Sequence, residues 1–301
     1  MSNHTGNKAI LYALLANLGI AIIKSIAAFF TGSGSMLAEA IHSYADSGNQ
    51  LLLFVGIKKA KKEPTEKHPL GYGKEVYFYS FIVSLVLFIL GGSFSIYEGV
   101  HKMGSTEPIA FPLVAVAVLV VSIILEALSL MGCLKEIRPF RNGKNLWEWS
   151  RDSRRSELVV VLGEDVAALI GLFVALMAVF VAMVTENPIY DAIGSIFIGV
   201  LLIIISFFLA VKIKGLLVGQ SADLHKREEI LKQLNEFKEI DFIFNLITFQ
   251  LGEQLMIAVK AKMMKTNSDI ELIENINACE ARLRENNEDL KWIFFEPDLY
   301  D

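Results

Sequence analysis

The chain has 301 residues, 53% hydrophobic and 20% charged, with a formal net charge of -5. That balance excludes a disordered chain, a collagen-like fibre and an ordinary soluble domain, and gives nucleic acid no basic surface to bind. Two cysteines, Cys133 and Cys279, exclude a disulfide framework and a four-thiolate zinc site.

Six apolar stretches come first, over about 9–30, 36–57, 76–100, 109–134, 158–184 and 189–213. About 20 residues of helix cross a hydrocarbon core of roughly 30 Å, and a spanning backbone must satisfy its own hydrogen bonds, so each stretch predicts a membrane helix. Segment 58–75 carries six Lys/Arg and segment 135–157 seven, whereas the other three loops hold only Lys102. The positive-inside rule puts both basic loops in the cytoplasm, and an even helix count puts both termini there. The short polar start and the length of the first apolar run predict insertion by that helix rather than a cleaved signal.

Residues 1–213 hold 17 Lys+Arg against 16 Asp+Glu, and residues 214–301 hold 11 against 17. The spacing therefore predicts a membrane domain over 1–213 and an acidic soluble domain over 214–301. In the second, residues 225–237 carry apolar residues at helical spacing. Two strands, 241–251 and 254–264, flank a Gly252-Glu253 turn. A helix follows over 268–285, capped by Ser268 or Asn267, and a strand over 290–296. The order is αββαβ.

Ionisable side chains in a membrane span are costly and mark function or a specific pairing. Glu39, His42, Asp46 and Asn49 are spaced three, four and three apart, on one stripe of the second helix. His42 and Asp46, one turn apart, suit a shared metal ion such as Zn²⁺; the rival reading is a His–Asp pair that merely joins two helices. Glu164 and Asp165 lie in the fifth helix about 100° apart, so one is expected to face the second helix and the other a neighbour. For Glu164 a structural acid and a ligand or proton relay both stand. Lys24 needs an acid, Glu39 or Glu126. Asp191 and Ser195 read as a hydrogen-bonding group at the start of the sixth helix, and Glu126 as structural.

The segments TGSGSMLAEAIHSYADSGNQ (31–50), HPLGYGKE (68–75), VLGEDVAALIG (161–171) and YDAIGSIFIGVLL (190–202) resemble the cation diffusion facilitator family. The resemblance covers nearly the whole chain. It implies six membrane helices with a small cytoplasmic metallochaperone-like α+β domain, and a homodimer that moves a divalent metal out of the cytoplasm in exchange for H⁺. The family draws two ligands from the second helix and two from the fifth, each pair four residues apart. His42 and Asp46 match the first pair and Asp165 the later member of the second. The remaining position is Val161, which has no donor; Glu164, a backbone carbonyl or water would complete the shell. Tyr72 replaces a histidine of the family's loop pattern, so His68 reads as a turn residue. With only His225 and Cys279 the second domain lacks a zinc pair, and Cys279 reads as interior; dimerisation and regulation are its expected roles.

The expected activity is secondary active transport by alternating access, not enzymatic, in the cell membrane, with Zn²⁺ favoured and Mn²⁺, Fe²⁺ and Co²⁺ open. Deprotonated ligands bind metal, so metal and protons compete, and the unperturbed histidine pKa of about 6.5 makes His42 a reasonable proton carrier. The metal is the substrate and no bound cofactor is implied. A non-transporting sensor or partner subunit is the alternative; a hydrolase is disfavoured, because no GxSxG or HExxH occurs.

Overall fold

The computed structural model describes residues 3–104, 109–141 and 143–300, with residues 3–16 through their backbone only. Helices occupy all six apolar stretches. They are α1 (Asn3–Thr31), α2 (Gly34–Ala60), α3 (Glu75–Val86) continued through a π-helical turn (Leu87–Ser93) into α4 (Phe94–Lys102), α5 (Pro112–Ile137), α7 (Ser156–Thr185) and α8 (Ile189–Val218). The short α6 (Leu146–Asp152) lies in the second basic segment, where it buries Trp149 and leaves Trp147 exposed.

Among the described residues, Glu75–Lys102, Pro112–Phe140, Ser156–Thr185 and Ile189–Val218 are each long and apolar enough to cross a membrane. The described part of α1 from Asn17 is apolar but shorter. Helix α2 has the length but carries the polar stripe. The π-helical turn was not anticipated from sequence. It coincides with Gly91-Gly92, where the missing side chains bring α8 against the backbone. A Cβ on Gly92 would lie 2.5 Å from Ile203, and one on Gly199 2.7 Å from the Gly92 carbonyl oxygen. Further along, a Cβ on Gly99 would lie 2.7 Å from the Ala192 carbonyl oxygen. Small residues thus allow the close helix approach on which packing within lipid depends.

The chain divides into two compact units. The first comprises residues 1–56, 79–146 and 156–213; the second gathers 57–78 and 147–155 with 214–301. In the second unit α9 (Leu224–Asn235), β1 (Ile240–Leu251), β2 (Gln254–Met263), α10 (Asp269–Asn286) and β3 (Leu290–Pro297) follow in the expected αββαβ order. The sheet order is β1-β2-β3. Strands β1 and β2 form an antiparallel hairpin closed at Leu251–Gln254, and β2 and β3 run parallel, a connection that requires the α10 crossover. Alternate residues of β2, Leu255, Ile257, Val259 and Ala261, point into a core with Ile230 and Leu234 of α9 and Cys279 and Leu283 of α10. Cys279 is interior, as read from sequence. Ser268 caps α10 by accepting from the Glu271 amide at 3.2 Å.

The β1–β2 hairpin seats against segment 57–78. The Gly252 amide donates to the Tyr77 hydroxyl at 3.0 Å, and the Lys74 ammonium lies 4.6 Å from the centre of the Phe249 ring. A Cβ on Gly73 would collide with the Leu251 carbonyl. His68 exchanges backbone hydrogen bonds with Thr65 and packs at a tilt against Tyr72, ring centres 4.5 Å apart, the turn role expected of it.

Two outcomes are expected. Gly199→Ala overpacks the contact with the π turn and lowers stability by about 1–3 kcal/mol, measured as a fall in the unfolding midpoint of the detergent-purified chain. The second concerns Glu239, whose carboxyl is held below its ordinary pKa of 4.5 chiefly by the Arg282 hydrogen bond. A depressed folded-state pKa adds stability above the unfolded value and loses it as pH falls through the folded one. Both side chains are partly exposed, so the pair contributes about 0.5–1 kcal/mol. Trp147, Trp149 and Trp292 all lie in the second unit. Urea unfolding followed by their fluorescence should therefore show Glu239→Gln destabilising at pH 7, with the difference from the unsubstituted chain fading as the pH falls below the ordinary carboxyl value and through the lowered folded-state one.

Candidate functional site

The site is built from α2, and α2 is aimed by its first turn. Gly32, at φ +65°, ends α1 in the left-handed region that glycine favours, and the Ser33 hydroxyl accepts from the Met36 amide at 3.2 Å. Asp191 of α8 then accepts from the Gly34 amide at 2.6 Å, the Ser33 hydroxyl at 2.8 Å, the Ser35 amide at 3.3 Å and the Ser35 hydroxyl. A carboxylate here satisfies free amides and complements the helix dipole. The sequence had suggested a local pair of Asp191 and Ser195. Instead both reach across: Ser195 donates to the Ser95 carbonyl of α4 at 2.9 Å, while Asn187 accepts from the Ile189 amide at the start of α8.

Along the stripe, Lys24 of α1 donates to Glu39 at 3.2 Å and to Ser43 at 2.8 Å, with Lys24 and Glu39 both fully buried. Of the two acids expected to pair with Lys24, Glu39 takes it. Gly171 of α7 makes room for that carboxylate: a Cβ there would stand 2.7 Å from Glu39 Oε1. One turn on, His42 is buried, its Nε2 3.6 Å from Asp46 Oδ2, and neither ring nitrogen has a hydrogen-bond partner. Asn49 donates to Glu164 Oε1 at 2.5 Å, which pins α2 to α7.

Beside the stripe is a cavity of about 40 Å³, enough for a few waters. Asp46 of α2, Glu126 of α5, and Glu164 and Asp165 of α7 line it, together with the neutral Asn17 and Gln50. Val161 forms apolar wall. Asp46 Oδ1 and Asp165 Oδ2 are buried with no hydrogen-bond partner. Glu164 faces α2, as one of the two adjacent acids was expected to, yet both reach the cavity because it spans the angle between them. His42 is not part of the lining. Among the described residues no three His, Cys, Asp or Glu side chains stand close enough to hold one ion between them. Asp46, Glu164 and Asp165 are thus brought to one cavity, and His42 is joined to it through Asp46. Sequence reasoning missed Glu126. The available signal was a polar line on α5 at helical spacing, Ser122, Glu126, Ser129, Cys133 and Glu136.

Residues 10–218 match the family model of the cation efflux transmembrane domain. The chain belongs to the cation diffusion facilitator family. It is a multi-pass membrane protein of that family, a helical bundle followed by a small α+β domain. This cation diffusion facilitator is 32% identical over 249 residues to the human mitochondrial proton-coupled zinc antiporter SLC30A9, covering 81% of this chain and 44% of the relative. It is 29% identical over 254 residues to metal tolerance protein C4 of Arabidopsis thaliana, covering 84% and 56%. It is 19% identical over 271 residues to the zinc transporter ZitB of Escherichia coli, covering 89% and 81%. The chain spans about half the length of its SLC30A9 relatives.

The buried pair of Lys24 and Glu39 yields a stability prediction. Lys24→Met strands an unpaired carboxylate and costs about 3–5 kcal/mol, whereas Lys24→Met combined with Glu39→Met removes both charges and recovers most of that loss. Unfolding midpoints of the three purified proteins in detergent measure the difference.

Proposed function

We propose that this cation diffusion facilitator exports a divalent transition metal, Zn²⁺ first, in exchange for protons by alternating access. The observation that carries the reading is the cavity between α2, α5 and α7. Its carboxylates come from separate helices, and two of them present buried oxygens with no partner. Asp46 and Asp165 are the principal ligands in this reading. His42 joins them when the bundle rearranges around an ion, because its Nε2 already lies 3.6 Å from Asp46 and both ring nitrogens are open. Glu164 is the less committed ligand, since Asn49 holds one of its oxygens. A cation displaces water from these groups and competes with protons for the same lone pairs. Transport then follows from two bundle states of unequal metal affinity. The names of the human and Escherichia coli relatives support zinc, and the human name supports proton coupling.

Residues 1–213 are the transport domain in this proposal, and 214–301 serve dimerisation and regulation. Exposed Phe242, Ile247 and Phe294 on the strands supply apolar surface for a second copy. Thirteen basic residues in two loops against one in the others support cytoplasmic termini; the cell membrane is the location in this proposal.

A rival reading, a membrane sensor or partner subunit that does not transport, draws on Val161 as a wall of the cavity. One assay separates the two. In proteoliposomes with an imposed pH gradient and a metal-sensitive dye, the purified chain alone should move Zn²⁺, and Asp46→Ala or Asp165→Ala should reduce the flux at least a hundredfold while remaining folded. Zero flux from the unsubstituted chain favours the rival; unchanged flux in either variant refutes the site.

A further inference from the structure

Taken as a transport site, the cavity has two lining side chains without a donor, Ile20 and Val161, and Val161 stands one turn before Asp165. We propose that Glu126 of α5 supplies the missing donor, as a metal-binding side chain from a third acid-bearing helix that gives the site an oxygen-rich shell. The inference rests on the transport reading above and adds to it.

Four observations point to Glu126. It lines the same cavity as Asp46, Glu164 and Asp165. It makes no hydrogen bond or ion pair among the described residues, whereas Glu164 has an oxygen committed to Asn49. Asp165, only 8% exposed, presents an unpartnered oxygen to the same space, so the cluster is more than a set of neighbouring acids. The nearest buried cation, Lys24, is already shared between Glu39 and Ser43. Four carboxyl groups around about 40 Å³ therefore lack a protein counter-charge, and a dication provides one.

Helix α5 packs against both α7 and α1, and Glu126 shares the cavity lining with the α7 acids. No three of these side chains stand close enough to share an ion in this arrangement, so Glu126 joins the shell as the helices close around the metal. A further carboxylate rather than a nitrogen donor moves the preference of the shell toward harder ions. Zn²⁺ is still accepted, and the penalty against Mn²⁺ is smaller than for a nitrogen-rich shell.

The test uses the full purified chain in detergent. Glu126→Gln should weaken Zn²⁺ binding at least tenfold and Mn²⁺ binding more, with an unchanged unfolding midpoint, and Glu126→Asp should restore binding to within about threefold. Glu126→Cys gives an independent signal: X-ray absorption of bound Zn²⁺ should gain a sulfur scatterer at about 2.3 Å, the ordinary zinc–thiolate distance, absent from the unsubstituted chain. Unchanged affinities in Glu126→Gln, or no sulfur signal in Glu126→Cys, overturn the assignment. If Glu126→Gln does not fold, the sulfur signal decides. Asp46→Ala serves as the control. If it abolishes binding while Glu126→Gln does not, only this inference falls; if it too leaves binding intact, the transport-site reading falls with it.

Discussion

Charge inside a hydrocarbon slab has to find its partner within the protein, and α2 brings more of it into the bundle than any other helix. Its upper and lower parts are tied to neighbouring helices. Asp191 takes the free amides of its first turn, Lys24 neutralises Glu39, and Asn49 is locked to Glu164. These contacts come from α8, α1 and α7, so they fix the rotation of α2 as well as its position. What they leave open runs along the same stripe: one oxygen each of Glu39, Asp46 and Asn49, and both His42 nitrogens. His42 and Asp46 stand between the turns that Lys24 and Glu164 anchor.

The chemistry follows from that arrangement. An imidazole beside a carboxylate on one helix and two adjacent acids on another are affordable in a span only with water or a cation between them. The cavity gives that space, and the apolar Val161 forms part of its wall. Glu126 stands where a compensating donor can reach. The sequence match to the cation efflux domain covers all of these residues, since 10–218 includes α1, α2, α5 and α7.

Much of the fold was legible before any coordinates. Apolar length marked the six helices, and Gly252-Glu253 and Ser268 marked the hairpin and the α10 cap, because these are local signals. The polar stripe was legible too, since a helix has a fixed period. Partnerships between helices were not. Asp191 was read with Ser195, four residues away, and actually serves α2, 157 residues from Gly34. Glu126 was read as structural because nothing within its own helix reveals which neighbour it faces. The π turn escaped because Gly91-Gly92 is equally compatible with a straight helix, and the approach of Gly199 and Ile203 to it lies more than a hundred residues away in the chain.

That proximity has a mechanical consequence. Where Gly92, Gly99 and Gly199 meet their neighbours, an isoleucine side chain of the facing helix, Ile203, Ile196 or Ile96, fills the notch and main chain lies just behind it. Each isoleucine is a peg and each glycine the socket that receives it. Sliding one helix along the other would lift the pegs out and drive them into backbone, so the notches fix the register of the two helices.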